Sequence, residues 1–261
     1  MKFDADTLPS RTIPYSVKEI EVNPFRPKQL ALLSEAIYME SMEPAIKAMQ
    51  EVCNFNVQLM TPGDFYYLLA WQRFNCLKRE ITATWECDGV LYRRSDNGEM
   101  YTDERIARLV ENWKAAEGSE LQSQLENPNS IQVDAVDCGQ SNIQKVEFED
   151  FAVLYLQPGI KLDKRLDYPR VSTMVEVDEL VKEPQYHKIV GAARWIAEGK
   201  RLIDKIEILY EQETTELFEV AAAANAEIAH GIVRTIQKKC PKCGYSHSFP
   251  ASIEPASFFI S

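Results

Sequence analysis

Cys240-Pro241-Lys242-Cys243-Gly244, close to the end of the sequence, is the most informative run in it. Two thiols separated by two residues, with Pro after the first and Gly after the second, form a knuckle. The chain turns back so that both sulfurs face one point, and Gly supplies the dihedral that lets backbone amides approach them. Ile232 to Gln237 on one side and Tyr245 to Phe249 on the other read as strands, so the whole looks like half a zinc ribbon. Tetrahedral zinc takes four ligands, and one Cys-x-x-Cys supplies two.

The missing pair is sought among the remaining cysteines. Cys87 ends the β-rich run Ile81-Thr82-Ala83-Thr84-Trp85-Glu86, and Cys138-Gly139 follows another, copying the second half of the Cys243-Gly244 knuckle. If residues 88–137 are an excursion inserted between two ligands, the metal set is Cys87, Cys138, Cys240 and Cys243, and the ion is structural Zn2+. The alternatives are Cys76 in place of Cys138, although Cys76 also reads as a small buried hydrophobe, His247 as fourth ligand, and no metal at all. Cys53 reads as a small buried hydrophobe. A thioredoxin-like role would put the Cys-x-x-Cys at the start of a helix, whereas an extended segment follows it here. Four thiolates leave no open position for water, so such a zinc holds structure and does no chemistry.

The rest of the chain supports a cytoplasmic, non-catalytic reading. In 261 residues there are 40 acidic and 29 basic side chains, a net charge of −11, which disfavours bulk phosphate binding. Lys238, Lys239 and Lys242 are at most a local basic patch. No run of about 18 apolar residues exists to span a membrane. The start, Met1-Lys2-Phe3-Asp4, has no apolar segment of the secretory kind, so a reducing compartment is expected. Gly191 to Lys200 has the wrong spacing for a phosphate-binding loop, and neither Gly-x-Ser-x-Gly nor His-Glu-x-x-His occurs. Only His187, His230 and His247 are available as imidazole bases, and the first two read as helix-end residues.

Periodicity gives an α+β protein: a mainly helical core, a zinc-ribbon-like β element and an inserted α/β excursion. The main domain is expected over 1–87 and 138–261, with 88–137 inserted. Residues 16–22 alternate as a strand. Leu30, Leu33, Ala36 and Ile37 mark a first helix, and Ile46, Met49 and Val52 a second, with Ser41 as its cap and Pro44 in its first turn. Thr61-Pro62-Gly63-Asp64 opens a third: Thr caps, Pro takes the first position, and Asp answers the cap. Phe65 to Phe74 is apolar nearly all round and belongs in a core. Asp88-Gly89 is a turn signal returning Val90-Leu91-Tyr92 as a hairpin. A helix through Ile106, Leu109, Val110 and Trp113 precedes a loop near 117–130. Strands follow at 131–136, 143–148 and 151–156, with a short extended piece at 171–175. Helices then run through 189–196, 202–209 and 217–229, the last closed by His230-Gly231 as a C-cap.

Several of these stretches together resemble one family. Thr61, Asp64, Leu68-Leu69 and Arg73 are similar to the Thr-x-x-Asp…Leu-Leu…Arg helix of T4-type bacteriophage baseplate hub subunits and hub-assembly chaperones, in which a strand ending in a cysteine knuckle follows. Cys240-Pro241-Lys242-Cys243-Gly244, then Pro255-Ala256-Ser257-Phe258-Phe259, resembles that family's Cys-Pro-x-Cys-Gly…Asn-Pro-x-x-Phe-Phe ending. The likeness covers most of residues 55–261. It departs at the first knuckle, compact in the family but opened by about 50 residues between Cys87 and Cys138. The resemblance implies the same four cysteine ligands. It implies a non-enzymatic role in virion assembly of a contractile tail, in the host cytoplasm or in the tail baseplate. Its partners would be tail hub or tape-measure proteins; the charge balance argues against nucleic acid. Phe258 and Phe259 are expected to pack internally or to insert into such a partner. The rival expectations are a zinc-ribbon regulator binding nucleic acid or polymerase, and an enzyme whose zinc has three protein ligands.

Overall fold

A computed structural model describes all residues except 12–14, 16, 77–80, 126 and 251–261. In chain order the regular elements begin with β1 (Lys2–Asp4), β2 (Glu19–Glu21), α1 (Pro27–Tyr38), α2 (Glu43–Val52) and α3 (Pro62–Trp71). After a π-helical turn at Gln72–Cys76 come β3 (Ile81–Glu86), β4 (Val90–Arg94), β5 (Met100–Tyr101), α4 (Asp103–Ala115), β6 (Val133–Asp137), β7 (Ser141–Val146) and β8 (Phe151–Leu154). The remainder is α5 (Met174–Leu180), α6 (Val190–Ala193), α7 (Leu202–Tyr210), α8 (Glu216–Glu227), β9 (Gly231–Lys239) and β10 (Ser246–Pro250). The class is α+β. No helix among the described residues is long and apolar enough to cross a membrane.

The chain divides into two compact units. The first takes Met1–Glu80 and Glu147–Arg234; the second takes Ile81–Val146 and Thr235–Pro250. In the first unit β1 pairs antiparallel with β2, and Leu8, Ile20, Val22, Leu33, Met49, Phe65 and Leu68 pack into one core. A second cluster joins α6, α7 and α8 through Ala193, Ile196, Leu202, Ile206, Leu217 and Ala221. Thr61 caps α3 by accepting the Asp64 N–H at 3.3 Å. The Asp64 carboxylate does not answer the cap: fully buried, it accepts the Ser10 N–H at 2.9 Å and the Tyr15 hydroxyl, tying the N-terminal segment to the helix start. Gly63 is required by a close crossing, since a Cβ there would lie 2.5 Å from the His230 carbonyl oxygen.

The second unit is built from β3 paired with β7, a separate sheet ordered β5-β4-β6, and the antiparallel hairpin of β9 and β10. Leu91 and four cysteines form one buried cluster in it, and Trp85, Tyr101, Val146 and Ile236 are buried besides. Thr102 caps α4 on the Arg105 N–H, and the expected face of Ile106, Leu109, Val110 and Trp113 is only half-buried. The excursion expected over 88–137 lies inside this unit, which is wider at both ends and includes the C-terminal hairpin.

Several sequence expectations need correction. Asp88-Gly89 does not return β4 onto β3; β3 pairs with β7, and β4 joins β5 and β6 in another sheet. The turn dipeptide redirects the chain because its backbone is used by the cysteine knuckle. Residues 171–175 are not extended but form a 3-10 turn, Val171–Thr173, running into α5. The turn is fixed from outside, by the Val171 N–H bonded to the Met60 carbonyl at 2.8 Å. His230-Gly231 does not cap α8, which ends at Glu227; Gly231, at φ +114°, opens β9 where the chain meets Gly63. Ser41 lies one residue before the cap position of α2, held by Met42, although its hydroxyl accepts the Glu43 N–H at 3.2 Å. Phe258 and Phe259 lie outside the described residues.

Candidate metal centre

The second unit brings Cys87, Cys138, Cys240 and Cys243 together. Their four Sγ atoms lie within 4.8 Å of one another, and all four residues are buried. Cys87 and Cys243 are 3.4 Å apart at sulfur, and Cys138 and Cys240 3.8 Å. These separations are far longer than the roughly 2.0 Å of a disulfide. They bracket the spacing of about 3.8 Å that a tetrahedron of thiolates requires when each metal–sulfur bond is about 2.3 Å. The quartet is therefore a candidate metal site. Cys76 sits in the π-helical turn after α3 and is not part of it.

Backbone hydrogen bonds explain how ligands so distant in sequence form matching halves. In the C-terminal knuckle the Gly244 N–H donates to the Cys240 carbonyl at 2.8 Å, and the Cys240 N–H to the Tyr245 carbonyl at 2.9 Å. At the other half the Gly139 N–H donates to the Cys87 carbonyl at 3.1 Å, and the Cys87 N–H to the Gln140 carbonyl at 2.9 Å. The pattern is the same, with Cys87 standing for Cys240 and Cys138-Gly139-Gln140 for Cys243-Gly244-Tyr245. Both glycines adopt positive φ, +56° at Gly139 and +78° at Gly244, as this bonding demands. The first half is thus one knuckle cut open between its two cysteines. The Cys138 N–H also donates to the Gly89 carbonyl at 2.8 Å, which closes the ends of the excursion.

Gly89 has a second duty. A Cβ there would lie 2.6 Å from the Tyr245 Cβ and 3.0 Å from the Cys243 sulfur, so only glycine lets the two halves approach. Nearby donors meet the sulfurs: the Gly89 N–H reaches Cys87 at 3.4 Å, the Tyr245 N–H reaches Cys243 at 3.5 Å, and Asn142 Nδ2 lies 3.7 Å from Cys240. The Lys242 ammonium donates to the Cys138 carbonyl at 2.9 Å. Without a metal the thiols differ. Burial pushes Cys87 up to about 12, against the Gly89 N–H. Burial also acts to raise Cys240, but the backbone N–H groups of Cys243 and Lys242 and the neighbouring sulfurs outweigh it and bring it down to about 6. A divalent ion at the centre would replace the remaining protons, since thiolates are the ligand form.

His247 was an alternative ligand on spacing, and the structure places it beside the quartet. Its Nε2 lies 3.2 Å from the Cys87 sulfur and its Nδ1 3.4 Å from an Asp88 carboxylate oxygen. Asp88, His247 and Cys87 have the order of a carboxylate–imidazole–thiol relay. Cys87, however, is 3% exposed and shares its sulfur with three other cysteines, so the imidazole serves it as a neighbour. Gly89 and Asn142 were not singled out from the sequence as parts of the site. The only signal for Gly89 was the turn dipeptide, and Asn142 carried none. No protein-family model, curated protein or solved structure matches the chain.

Proposed function

We propose that the protein is a non-enzymatic component, or an assembly chaperone, of a phage tail baseplate hub, and that Zn2+ held by Cys87, Cys138, Cys240 and Cys243 is the structural clip of its zinc-ribbon-like unit. The observation that carries the reading is the repeated knuckle. The one plain departure from the family pattern, the long gap between Cys87 and Cys138, leaves the knuckle's backbone bonding intact. The excursion then reads as an insertion into a knuckle of the expected kind. Burial of the motif residues agrees with this: the α3 cap Thr61 and Asp64, Leu68 and Leu69 of α3 are fully buried, and Arg73 in the π-helical turn after it nearly so. With four thiolates the ion has no position for substrate or water, so the clip holds shape for partner binding.

The test is affinity capture of the tagged chain from infected cells, with mass spectrometry of what co-purifies. Tail hub or tape-measure proteins are expected with the wild-type chain and not with the Cys240→Ser variant. Recovery of polymerase subunits instead, with salt-sensitive DNA binding, would overturn the reading in favour of a zinc-ribbon regulator.

A further inference from the structure

The four-thiolate centre has a fifth side chain against it that is not needed as a ligand. His247 is on β10, opposite Lys238 of β9, with its side chain 10% exposed. An aromatic cage fixes the ring: Tyr245 meets it edge-on at 4.9 Å between centroids, Trp85 lies at 5.7 Å, and Phe249 stacks at 6.1 Å. So held, the ring presents Nε2 to the Cys87 sulfur at 3.2 Å. Four thiolates around a divalent ion leave a net charge of −2 in a buried place, and N–H donors to sulfur are what spreads that charge. Backbone and side-chain amides reach Cys87, Cys240 and Cys243 at 3.4 to 3.7 Å. His247 is closer than any of these, and it adds a second donor to Cys87, which Gly89 also meets.

We propose that His247 is the positioning residue of the metal centre: its Nε2–H donates to the Cys87 thiolate, fixes the direction of that sulfur and slows escape of the metal. The proposal rests on the four-thiolate zinc reading above and adds to it. His247 does not coordinate; the quartet supplies the four positions. Its Nδ1 lies 3.4 Å from a carboxylate oxygen of the largely exposed Asp88.

The test uses the full chain loaded with one zinc and two variants. His247→Phe keeps an aromatic ring in the cage and loses the N–H; His247→Gln returns an N–H donor without the ring. Elemental analysis counts the zinc, and transfer to a chromophoric chelator gives the escape rate. Loss of an outer-sphere partner of this kind costs about 10–100-fold in metal affinity. The Phe variant is therefore expected to hold one zinc per chain and to release it faster by about that factor, while the Gln variant recovers most of the difference. In cobalt-loaded protein the thiolate-to-metal charge-transfer bands are expected to move in the Phe variant and return in the Gln variant, a signature that packing alone would not produce. In cadmium-loaded wild type, nitrogen NMR is expected to show a protonated Nε2 with no one-bond coupling to the metal, which tests the proposal even if a variant fails to fold.

Wild-type release and unchanged bands in the Phe variant would overturn the proposal. Equal acceleration in both variants would do the same, and so would a direct metal–nitrogen coupling. A wild-type chain that binds no stoichiometric zinc would instead sink the four-thiolate reading beneath it.

Discussion

Replacing Cys240 by Ser removes one corner of the quartet with almost no change in volume, and its cost follows from chain length. Cys138 and Cys240 are 102 residues apart. Because residues 147–234 belong to the first unit, which stays folded, the chain left free between these two cysteines is about 15 residues, and closing a loop of that length is worth about 3 kcal/mol by the loop-closure estimate. The unit that contains the site has about 80 residues. At roughly 0.05–0.15 kcal/mol per residue its whole stability would be about 4–12 kcal/mol. The clip is therefore a large share of what holds that unit, in which Leu91 and the cysteines themselves form one buried cluster. Hydrogen exchange read by mass spectrometry resolves the effect by segment. In Cys240→Ser, protection of β3, β7 and the β9–β10 hairpin is expected to fall roughly a hundredfold, the factor that corresponds to the loop-closure term. Protection of α2 and α3, in the first unit, is expected to hold, and chelation of the wild-type chain should reproduce the pattern. Protection of residues 81–86 and 141–146 within about tenfold of wild type would refute the reasoning.

Three further outcomes are expected. Exchanging residues 88–137 for a Pro-Gly pair, which restores the two-residue spacing and keeps glycine two residues after Cys87, should give a shorter chain that still binds one zinc, because the bonding between Cys87 and Cys138-Gly139-Gln140 does not depend on the excursion; loss of stoichiometric metal on elemental analysis would count against the split knuckle. Gly63→Ala should cost about 2–3 kcal/mol in denaturant unfolding, since the added Cβ meets His230 backbone that cannot rotate away. Burial holds the His230 imidazole below its ordinary range, with the Asp64 charge opposing in part. The unfolded chain therefore takes up this proton first, and stability should fall as pH drops from about 7 to 5. His230 Nε2 lies 2.8 Å from the Thr61 hydroxyl, and His230→Gln, which keeps a polar partner for that hydroxyl, should flatten the slope in urea titrations; an unchanged slope would assign it elsewhere.

The site was more legible than the fold around it. Cys240-Pro241-Lys242-Cys243-Gly244 carries its geometry locally, because the Pro, the Gly and the spacing act within five residues. Cys138-Gly139 could be matched to it only through the shared Cys-Gly pair. The start of α3 was readable from Thr61-Pro62, but the destination of the Asp64 carboxylate was not. Its partners, Ser10 and Tyr15, lie about 50 residues away and follow no local rule. The same limit explains Asp88-Gly89. A turn dipeptide fixes a bend, not which strand receives the chain, and here the receiving strand was chosen by knuckle bonding to residues near Cys138. Residues 171–175, rich in β-branched side chains, formed helical turns because the Met60 carbonyl accepts the Val171 N–H, a tertiary contact overriding local preference. His247 was visible as a possible ligand, and only the three-dimensional arrangement shows a complete quartet beside it.

Whether four sulfurs from mid-chain and C-terminus enclose one ion is read by X-ray absorption at the zinc edge on protein purified without added metal. One zinc per chain in a shell of four sulfurs is the expected result. Substoichiometric metal, or a first shell containing nitrogen or oxygen, would contradict it.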